Sequence, residues 1–152
     1  MAKQTFAATV AGWCDRVPEA LLALFRECAS DLVQELTDEL SSRVYETPES
    51  PNYKRTQFLL ASLLASTTEM PLANRDNPGG PVTVSFDQVE FVINNAELGE
   101  TIFLGYSSSY GPYVHSGTSK MPPRPWVDAV AQRWNSIVQR RAADVGKRFG
   151  LL

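Results

Sequence analysis

The sequence predicts an α+β protein in which a long N-terminal helix and a C-terminal helix pack on a small, mainly antiparallel sheet. Apolar residues recur at helical spacing from Leu21 to Val44 and again from Trp126 to Val145. Short strand-like runs lie between these two helices. Because 43% of the 152 residues are hydrophobic, the chain can build a core of its own, and we expect a single domain over residues 1–152.

A proline divides the N-terminal half into two predicted helices. The apolar residues of the first share one helical face and are Phe6, Val10, Trp13 and Val17. They predict a short helix over residues 1–17. Pro18 is tolerated in a first helical turn, so the long second helix is expected to begin there and to run to Tyr45.

Cysteine content and hydropathy indicate the compartment. Cys14 and Cys28 lie in helical sequence among apolar neighbours and form no CxxC pair, which predicts two core thiols in a reducing environment. No run approaches the roughly 18 apolar residues of a membrane span, and no signal-peptide pattern is present. We therefore expect a soluble product that is made in a cytoplasm and does not contact a membrane.

The middle of the chain is predicted to hold the strands and one long loop. Pro48 and Pro51 break the long helix, and a short turn over residues 56–59 then leads into a strand over residues 60–66. Residues 69–81 contain three prolines and two glycines, which indicates a loop. Loops of this length are often functional, and we expect this one to become ordered against a neighbouring subunit.

A third helix and a second strand follow the loop. Ser85 and Gln88 have the spacing of a capping box, which predicts a helix up to Ala96 after a brief extended piece over residues 81–85. Residues 101–106 read as a strand. Pro125 is then expected to open the single C-terminal helix.

Charge is divided unevenly along the chain. Residues 1–50 carry four basic and nine acidic side chains, a formal charge of −5, whereas residues 101–152 carry seven basic and two acidic ones, a charge of +5. One interpretation is two solvated helix faces of opposite sign. The other is attraction between copies, in which the acidic half of one chain meets the basic half of the next.

The search for catalytic chemistry finds one weak candidate. His115 is the only histidine, and the serines near it in sequence are Ser107, Ser108, Ser109 and Ser116. No GxSxG surrounds any of these serines, but a small hydrolase that uses His115 stays open as an alternative hypothesis. One histidine and two distant cysteines do not make a zinc site, and no glycine-rich phosphate-binding motif occurs. We therefore predict no enzyme activity, no metal and no cofactor.

A second alternative is a module that contacts DNA without sequence specificity. The basic residues of the C-terminal helix that could contact DNA or an acidic partner are Arg133, Arg140, Arg141, Lys147 and Arg148. The acidic isoelectric point of about 5.2 argues against a dedicated DNA-binding role.

Residues 110–125 form the most distinctive segment of the sequence. Gly111 and Gly117 permit unusual backbone conformations, and three prolines near the end predict an extended, stiff stretch over residues 118–124. Tyr110 and Tyr113, with Tyr106 just before them, supply the aromatic area that is typical of contact surfaces. Physical reasoning leaves two interpretations open, a rigid connection packed on its own core and a subunit interface.

This segment resembles the signature of a tailed-phage family, the tail-component family typified by gene product ten of a lambdoid siphophage. The residues that match it position by position are Tyr110, Tyr113, Val114, Gly117, Thr118, Ser119, Met121, Pro122, Arg124 and Pro125. Trp126 stands where the family usually has phenylalanine, and His115 stands where it often has glutamate. A weaker similarity to a motif that follows the family's long helix covers residues 47–48 and 56–62, with an insertion at residues 49–55.

The resemblance implies a structural role without catalysis. Members of the family are neck or tail-completion proteins, small α+β subunits that form a ring where the head connector meets the tail. The implied partners are further copies of the chain, connector or adaptor proteins on the head side, and tail-tube or tail-terminator proteins, with packaged DNA as a non-specific contact. The implied location is the virion, after synthesis in the cytoplasm of the bacterial host. The implied subunit interface consists of Tyr110, Tyr113, Val114, His115, Gly117, Thr118, Met121, Pro122, Arg124 and Pro125.

Overall fold

The computed structural model describes residues 5–45, 48 and 56–151, so that only Pro48 of the predicted proline break and insertion lies within the described part. The regular elements are α1 (Phe6–Leu40), which continues as a π-helical turn (Ser41–Tyr45), α2 (Phe58–Ala61), β1 (Leu63–Ser66), α3 (Asp87–Asn95), β2 (Phe103–Tyr106), α4 (Gly111–Ser116), α5 (Trp126–Ala131) and α6 (Trp134–Arg148). The long N-terminal helix, the further helices and an antiparallel sheet confirm the α+β class. Among the described residues, no helix is both long and apolar enough to cross a membrane.

Helix α1 is one continuous helix of 35 residues, so the prediction of two helices separated at Pro18 is wrong. The Thr5 side chain caps it by accepting a hydrogen bond from the Ala8 N–H at 3.2 Å. Pro18 removes one backbone hydrogen bond from the interior of the helix. Because Cys14 and Pro18 are both exposed, water can solvate the carbonyl group that loses its partner. The exposure of Cys14 also contradicts its prediction as a core thiol, whereas Cys28 is buried as predicted.

The two strands of the described sheet pair antiparallel, with Leu63 opposite Tyr106 and Ser66 opposite Phe103. Both strands are shorter than predicted. Residues 60 and 61 belong to α2, which ends where the Ser62 hydroxyl donates a hydrogen bond to the Leu59 carbonyl at 2.6 Å. Strand β1 therefore begins at Leu63. Residues 81–85 form no strand.

Helix α3 lies beside β1, and Gln88 joins the two elements. Its side-chain Nε2 donates to the Ala65 carbonyl at 2.7 Å, and its Oε1 accepts from the Ala65 N–H at 3.0 Å. Gln88 therefore does not cap α3, and the predicted capping box is wrong. The Ser85 hydroxyl still accepts a hydrogen bond from the Asp87 N–H at 3.3 Å.

The core consists of two apolar clusters that share the strand β2. The first contains Leu36, Leu40, Val44, Leu59, Val114, Trp126 and Val130. The second contains Ala29, Leu63, Ala65, Val89 and Ile93. Leu104 and Tyr106 of β2 pack against both clusters, and α1 contributes to both, with Leu36 and Leu40 in the first and Ala29 in the second.

The C-terminal helix is divided into α5 and α6, although the sequence predicts a single helix from Pro125. The division falls at Gln132 and Arg133, where Arg133 has φ −92° and ψ 0°. Its N–H donates to the Val130 carbonyl at 2.9 Å, which makes a tighter turn than an α-helix. Both parts lie along α1.

Ion pairs join α1 to the C-terminal helices along their whole contact. We call this set the ion-pair seam. Its carboxylates come from successive turns of α1 and are Glu27, Asp31, Glu35 and Glu39. Its guanidinium groups are those of Arg133, Arg140, Arg141 and Arg148. The uneven charge of the chain is therefore largely paired within one copy, so neither interpretation drawn from the sequence describes these residues.

Arg141 forms the best-defined contact of the seam. Its Nε and Nη2 donate to the two carboxylate oxygens of Asp31 at 2.6 and 2.8 Å, and its Nη1 donates to Glu27 at 3.3 Å. Hydrogen bonding to Asp31 raises the pKa of the Arg141 guanidinium above its usual value. Such a bidentate contact between a guanidinium and a carboxylate is stronger than a single exposed ion pair.

We expect Arg141→Ala to lower the free energy of unfolding by about 1 kcal/mol more than Arg140→Ala, because only the first variant removes the arginine that pairs with the half-buried Asp31 carboxylate. Arg140 is a matched control, since it is 62% exposed and approaches Glu35 only at 3.8 Å. Urea titration of both variants measures the difference. Equal losses of stability in the two variants would show that the bidentate contact between Arg141 and Asp31 does not add to the stability of the fold.

The seam also predicts a loss of stability in acid. Hydrogen bonds from Arg43 and Arg133 lower the pKa of the Glu39 carboxyl in the folded protein. A carboxyl with a lowered folded pKa stabilises the fold above its unfolded pKa of about 4.3, and this contribution is lost as the pH falls through the lower folded value.

Unfolding free energies measured from pH 7 down to about pH 3 should therefore fall less steeply in Glu39→Gln than in the parent protein. Asp38→Asn is the control for the loss of one negative charge on α1, because the exposed Asp38 carboxylate accepts a hydrogen bond from the uncharged Gln34 side chain, and Glu39→Gln should change the slope more than this control does. An unchanged slope in Glu39→Gln would contradict the prediction.

Candidate functional site

Residues 110–125, the segment with the distinctive sequence, form α4, a tight turn and a proline-rich exit that leads into α5. The turn joins Thr118 and Met121, whose backbone groups hydrogen-bond to each other at 2.8 and 3.3 Å. The Arg124 N–H then donates to the Val114 carbonyl at 3.1 Å and closes the loop onto α4. The predicted extended stretch over residues 118–124 is thus wrong for its first four residues, which reverse the chain direction.

Gly117 makes this reversal possible. It ends α4 with φ 79° and ψ 169°, a conformation that is almost restricted to glycine. Its N–H donates to the Tyr113 carbonyl at 2.8 Å. A Cβ atom at this position would lie 2.7 Å from the Pro123 backbone nitrogen and 3.0 Å from the Met121 carbonyl oxygen. Both the backbone angle and the space therefore require glycine.

One side of the segment belongs to the core. Val114 is buried, and Tyr110 and Met121 pack against the first core cluster. Trp126, which follows the segment directly, is 1% exposed, and its ring meets Tyr106 edge-on at a centroid distance of 5.3 Å. Burial raises the pKa of the Tyr106 hydroxyl above its usual value. Tyr106 and Tyr110 are therefore packing residues of the chain itself.

The other side of the segment faces outward. Tyr113 is 63% exposed, and Thr118 and Pro122 are exposed with it. Ser119 is exposed as well, whereas Arg124 and Pro125 are half-buried, and Arg124 Nη1 lies 4.0 Å from the Met121 sulfur. Of the three tyrosines predicted to form a contact surface, Tyr113 alone is exposed.

His115 lies between the two sides, beside a cavity of about 270 Å³ that is lined by Tyr106, Trp126 and Pro112 among others. Its ring meets Trp126 edge-on at 5.3 Å. Its Nε2 lies 3.4 Å from the backbone N–H of Asp128, which points at it, and 3.6 Å from the Asp128 carboxylate. The His115 imidazole therefore contacts both the backbone and the side chain of Asp128 in the first turn of α5.

The four serines near His115 in sequence have different surroundings, and the exposed Ser116 lines the same cavity as His115. The Ser107 hydroxyl donates to the Ser62 carbonyl at 2.8 Å, and the Ser109 hydroxyl donates to Asp76 at 3.0 Å. Ser108 is fully buried, and no serine among residues 56–151 hydrogen-bonds to His115. The described residues also bring together no group of three side chains that could hold a metal ion.

The basic residues predicted to contact DNA are mostly occupied by the ion-pair seam. Arg133 and Arg141 are half-buried and bound to carboxylates of α1, and Arg148 lies 2.5 Å from Glu27. Arg140 and Lys147 are exposed. Arg140 lies at the margin of the ion-pair seam, 3.8 Å from Glu35, and Lys147 lies outside the seam.

The long loop over residues 69–81 is attached to its own chain at its centre, a feature that the sequence analysis missed. The backbone of Arg75 hydrogen-bonds with Ser107 and Ser109, both at 2.8 Å, and its guanidinium lies over the Phe58 ring at 5.5 Å. No local pattern marks an arginine for such a role. Met70 and Leu72, which precede Arg75 in the loop, are exposed. That a neighbouring subunit orders this part of the loop stays a prediction.

We expect Gly117→Ala to destabilise the fold by at least about 1–3 kcal/mol, because it combines an unfavourable backbone conformation with a clash against Pro123. Gly99→Ala is a matched control, since Gly99 has φ 91° but an added Cβ would meet nothing within 4 Å. Thermal unfolding of the two variants separates two costs in stability. Both variants have the cost of a positive φ angle, whereas only Gly117→Ala has the cost of a steric clash. If both variants lose the same stability, the turn has room for a side chain and the steric argument fails.

Comparisons of the chain with protein-family models, with curated proteins and with solved structures find no match. The site is therefore interpreted from its own residues and from the resemblance of residues 110–125 to the phage signature.

Proposed function

We propose that this protein is a structural subunit of the neck or tail top of a tailed phage, where copies of it form a ring that joins the head connector to the tail. The observation that carries the proposal is the match of ten positions between Tyr110 and Pro125 to the signature of the phage family. Its partners would be neighbouring copies, connector or adaptor proteins, and tail-tube or tail-terminator proteins. The proposal includes no catalytic activity.

The geometry of the segment supports a role in recognition. Gly117 and the hydrogen bond from Arg124 to Val114 hold the backbone in one shape, while Val114 fixes the segment to the core. Tyr113 then stands on a rigid base with most of its surface exposed. Rigid, exposed aromatic side chains lose little conformational entropy on binding and are frequent anchors of interfaces.

The test is complementation of a phage that lacks this gene, with particles counted by electron microscopy. We expect Tyr113→Ala to lower the yield of heads joined to tails by roughly tenfold or more while the fold is retained, since an anchor residue at an interface carries a large share of the binding free energy. Phe91→Ala is the matched control, because Phe91 is an equally exposed aromatic residue on α3, away from the segment. Equal yields from both variants, or antibody labelling of particles at a site other than the neck or tail, would contradict the proposal.

The two alternatives predict different outcomes for the same material. A hydrolase would show a turnover that disappears in His115→Ala with folding intact. A DNA-contacting module would bind DNA with an affinity that falls steeply with salt, and Arg140→Ala would weaken it. Neither alternative is favoured by the contacts of these residues described above.

A further inference from the structure

The first four turns of α1 form an arm that packs against little of the described chain. From residue 7 to residue 19 no side chain is buried, and only Gly12 and Val17 are half-buried. We call these residues the arm. Its apolar side chains include Val10, which is 43% exposed, and Trp13, which is 49% exposed. Together with Val17 they line an open recess of about 560 Å³.

The same face of α1 continues into a groove on the body of the protein. Helical spacing places Val10 and Val17 in line with Leu21 and Cys28. From Leu21 onward this face becomes one wall of a groove of about 430 Å³. Its apolar lining includes Leu24, Phe25, Leu32, Ile102, Trp134 and Val138. Glu100 is the one charged residue among the described residues that line the groove.

The length and composition of this face indicate a contact that buries it. From Val10 to Leu32 it runs about 33 Å along the helix and is roughly 10 Å wide. Its projected area is therefore roughly 330 Å², which is in the range of the largest apolar patch on a typical monomer, a patch that is often functional. Two tryptophans, Trp13 and Trp134, lie on it, and charged side chains are almost absent. This composition is typical of interfaces between identical subunits, which are more apolar than contacts between transient partners.

The arrangement of arm and groove favours a second copy of this chain as the partner. The arm protrudes and the groove is recessed, and both lie on one face of one helix. When two such faces are turned toward each other with the helices antiparallel, each arm meets the groove of the other copy, and both features are covered at once. A two-fold contact of this kind is self-complementary. A head-to-tail contact joins one arm with one groove, whereas the two-fold contact joins both arms with both grooves and so buries about twice the area in a single interface.

We propose that the α1 face from Val10 to Leu32 is a self-association surface. Two copies pair antiparallel about a two-fold axis near Val17, and each inserts Val10 and Trp13 of its arm into the groove of the other beside Trp134. This contact lies outside residues 110–125 and does not depend on the proposed phage function, because it describes pairing of the free subunits.

The first test measures self-association of the purified protein by sedimentation at increasing concentration. We expect association in the micromolar range, and we expect Trp13→Glu to weaken it about tenfold or more, because the interface would have to bury an unpaired carboxylate. Ala8→Glu is the matched control. Ala8 is exposed on the opposite side of the arm, so the same charge there should leave association unchanged. Both sites are exposed, and the two variants should share the thermal midpoint of the parent. A monomeric parent protein, or equal association of the two variants, would overturn the proposal.

The second test identifies the symmetry. In a Cys14→Ser background, Val17→Cys should give a covalent dimer on mild oxidation, since only a two-fold contact brings the same residue of two copies together. The background protein without the new cysteine should stay uncrosslinked, because Cys28 is buried. Absence of the crosslinked dimer would overturn the two-fold arrangement. A chain that is missing from phage particles would contradict the proposed function and leave both of these results unchanged.

Discussion

The carboxylates on successive turns of α1 determine where the C-terminal third of the molecule lies. Pairing runs in opposite directions along the two partners, from Glu27 with Arg148 to Glu39 with Arg133. A shift of α6 by one helical turn would leave the charges at the ends of the series without partners. Ion pairs of this kind contribute little to stability one at a time, but a series of them penalises every wrong alignment of two helices. The seam therefore specifies the antiparallel register of α1 with α6, while buried side chains such as Ile137 and Val145 provide apolar stabilisation.

This register in turn constrains residues 110–125. Val114 of α4 lies in the first core cluster, and so does Trp126, the first residue of α5 after the segment. The nine residues between Val114 and Arg124 must close a loop whose ends meet in a backbone hydrogen bond of 3.1 Å. Only a sharp reversal satisfies this condition, and Gly117 provides it. The shape of the segment thus follows from two anchors in one core, and its outward residues are held in place by that shape.

The sequence predicted the fold class and most of the elements, because helical periodicity is strong in α1, α3 and α6. It failed where a local rule was overridden by contacts with distant residues. Pro18 was expected to begin a helix, but it lies on an exposed turn that tolerates the loss of one hydrogen bond. Gln88 matched a capping motif, yet its amide binds a strand 23 residues earlier in the chain. The seam was visible only as a difference in net charge, since composition cannot show whether opposite charges meet within one chain or between two. For the candidate site, the glycine requirement at residue 117 could be predicted, whereas the burial of Tyr106 and Tyr110 depends on packing.

The hydrogen bonds between Gln88 and Ala65 have a consequence for solubility. A two-stranded sheet has two edges, and an open edge can accept a strand from another molecule, which is the first step of many aggregation reactions. Along β1, a glutamine amide occupies the backbone N–H and the carbonyl of Ala65 that such a strand would need. A side chain therefore completes the edge in place of a third strand. One residue of a helix thus protects the open edge of β1.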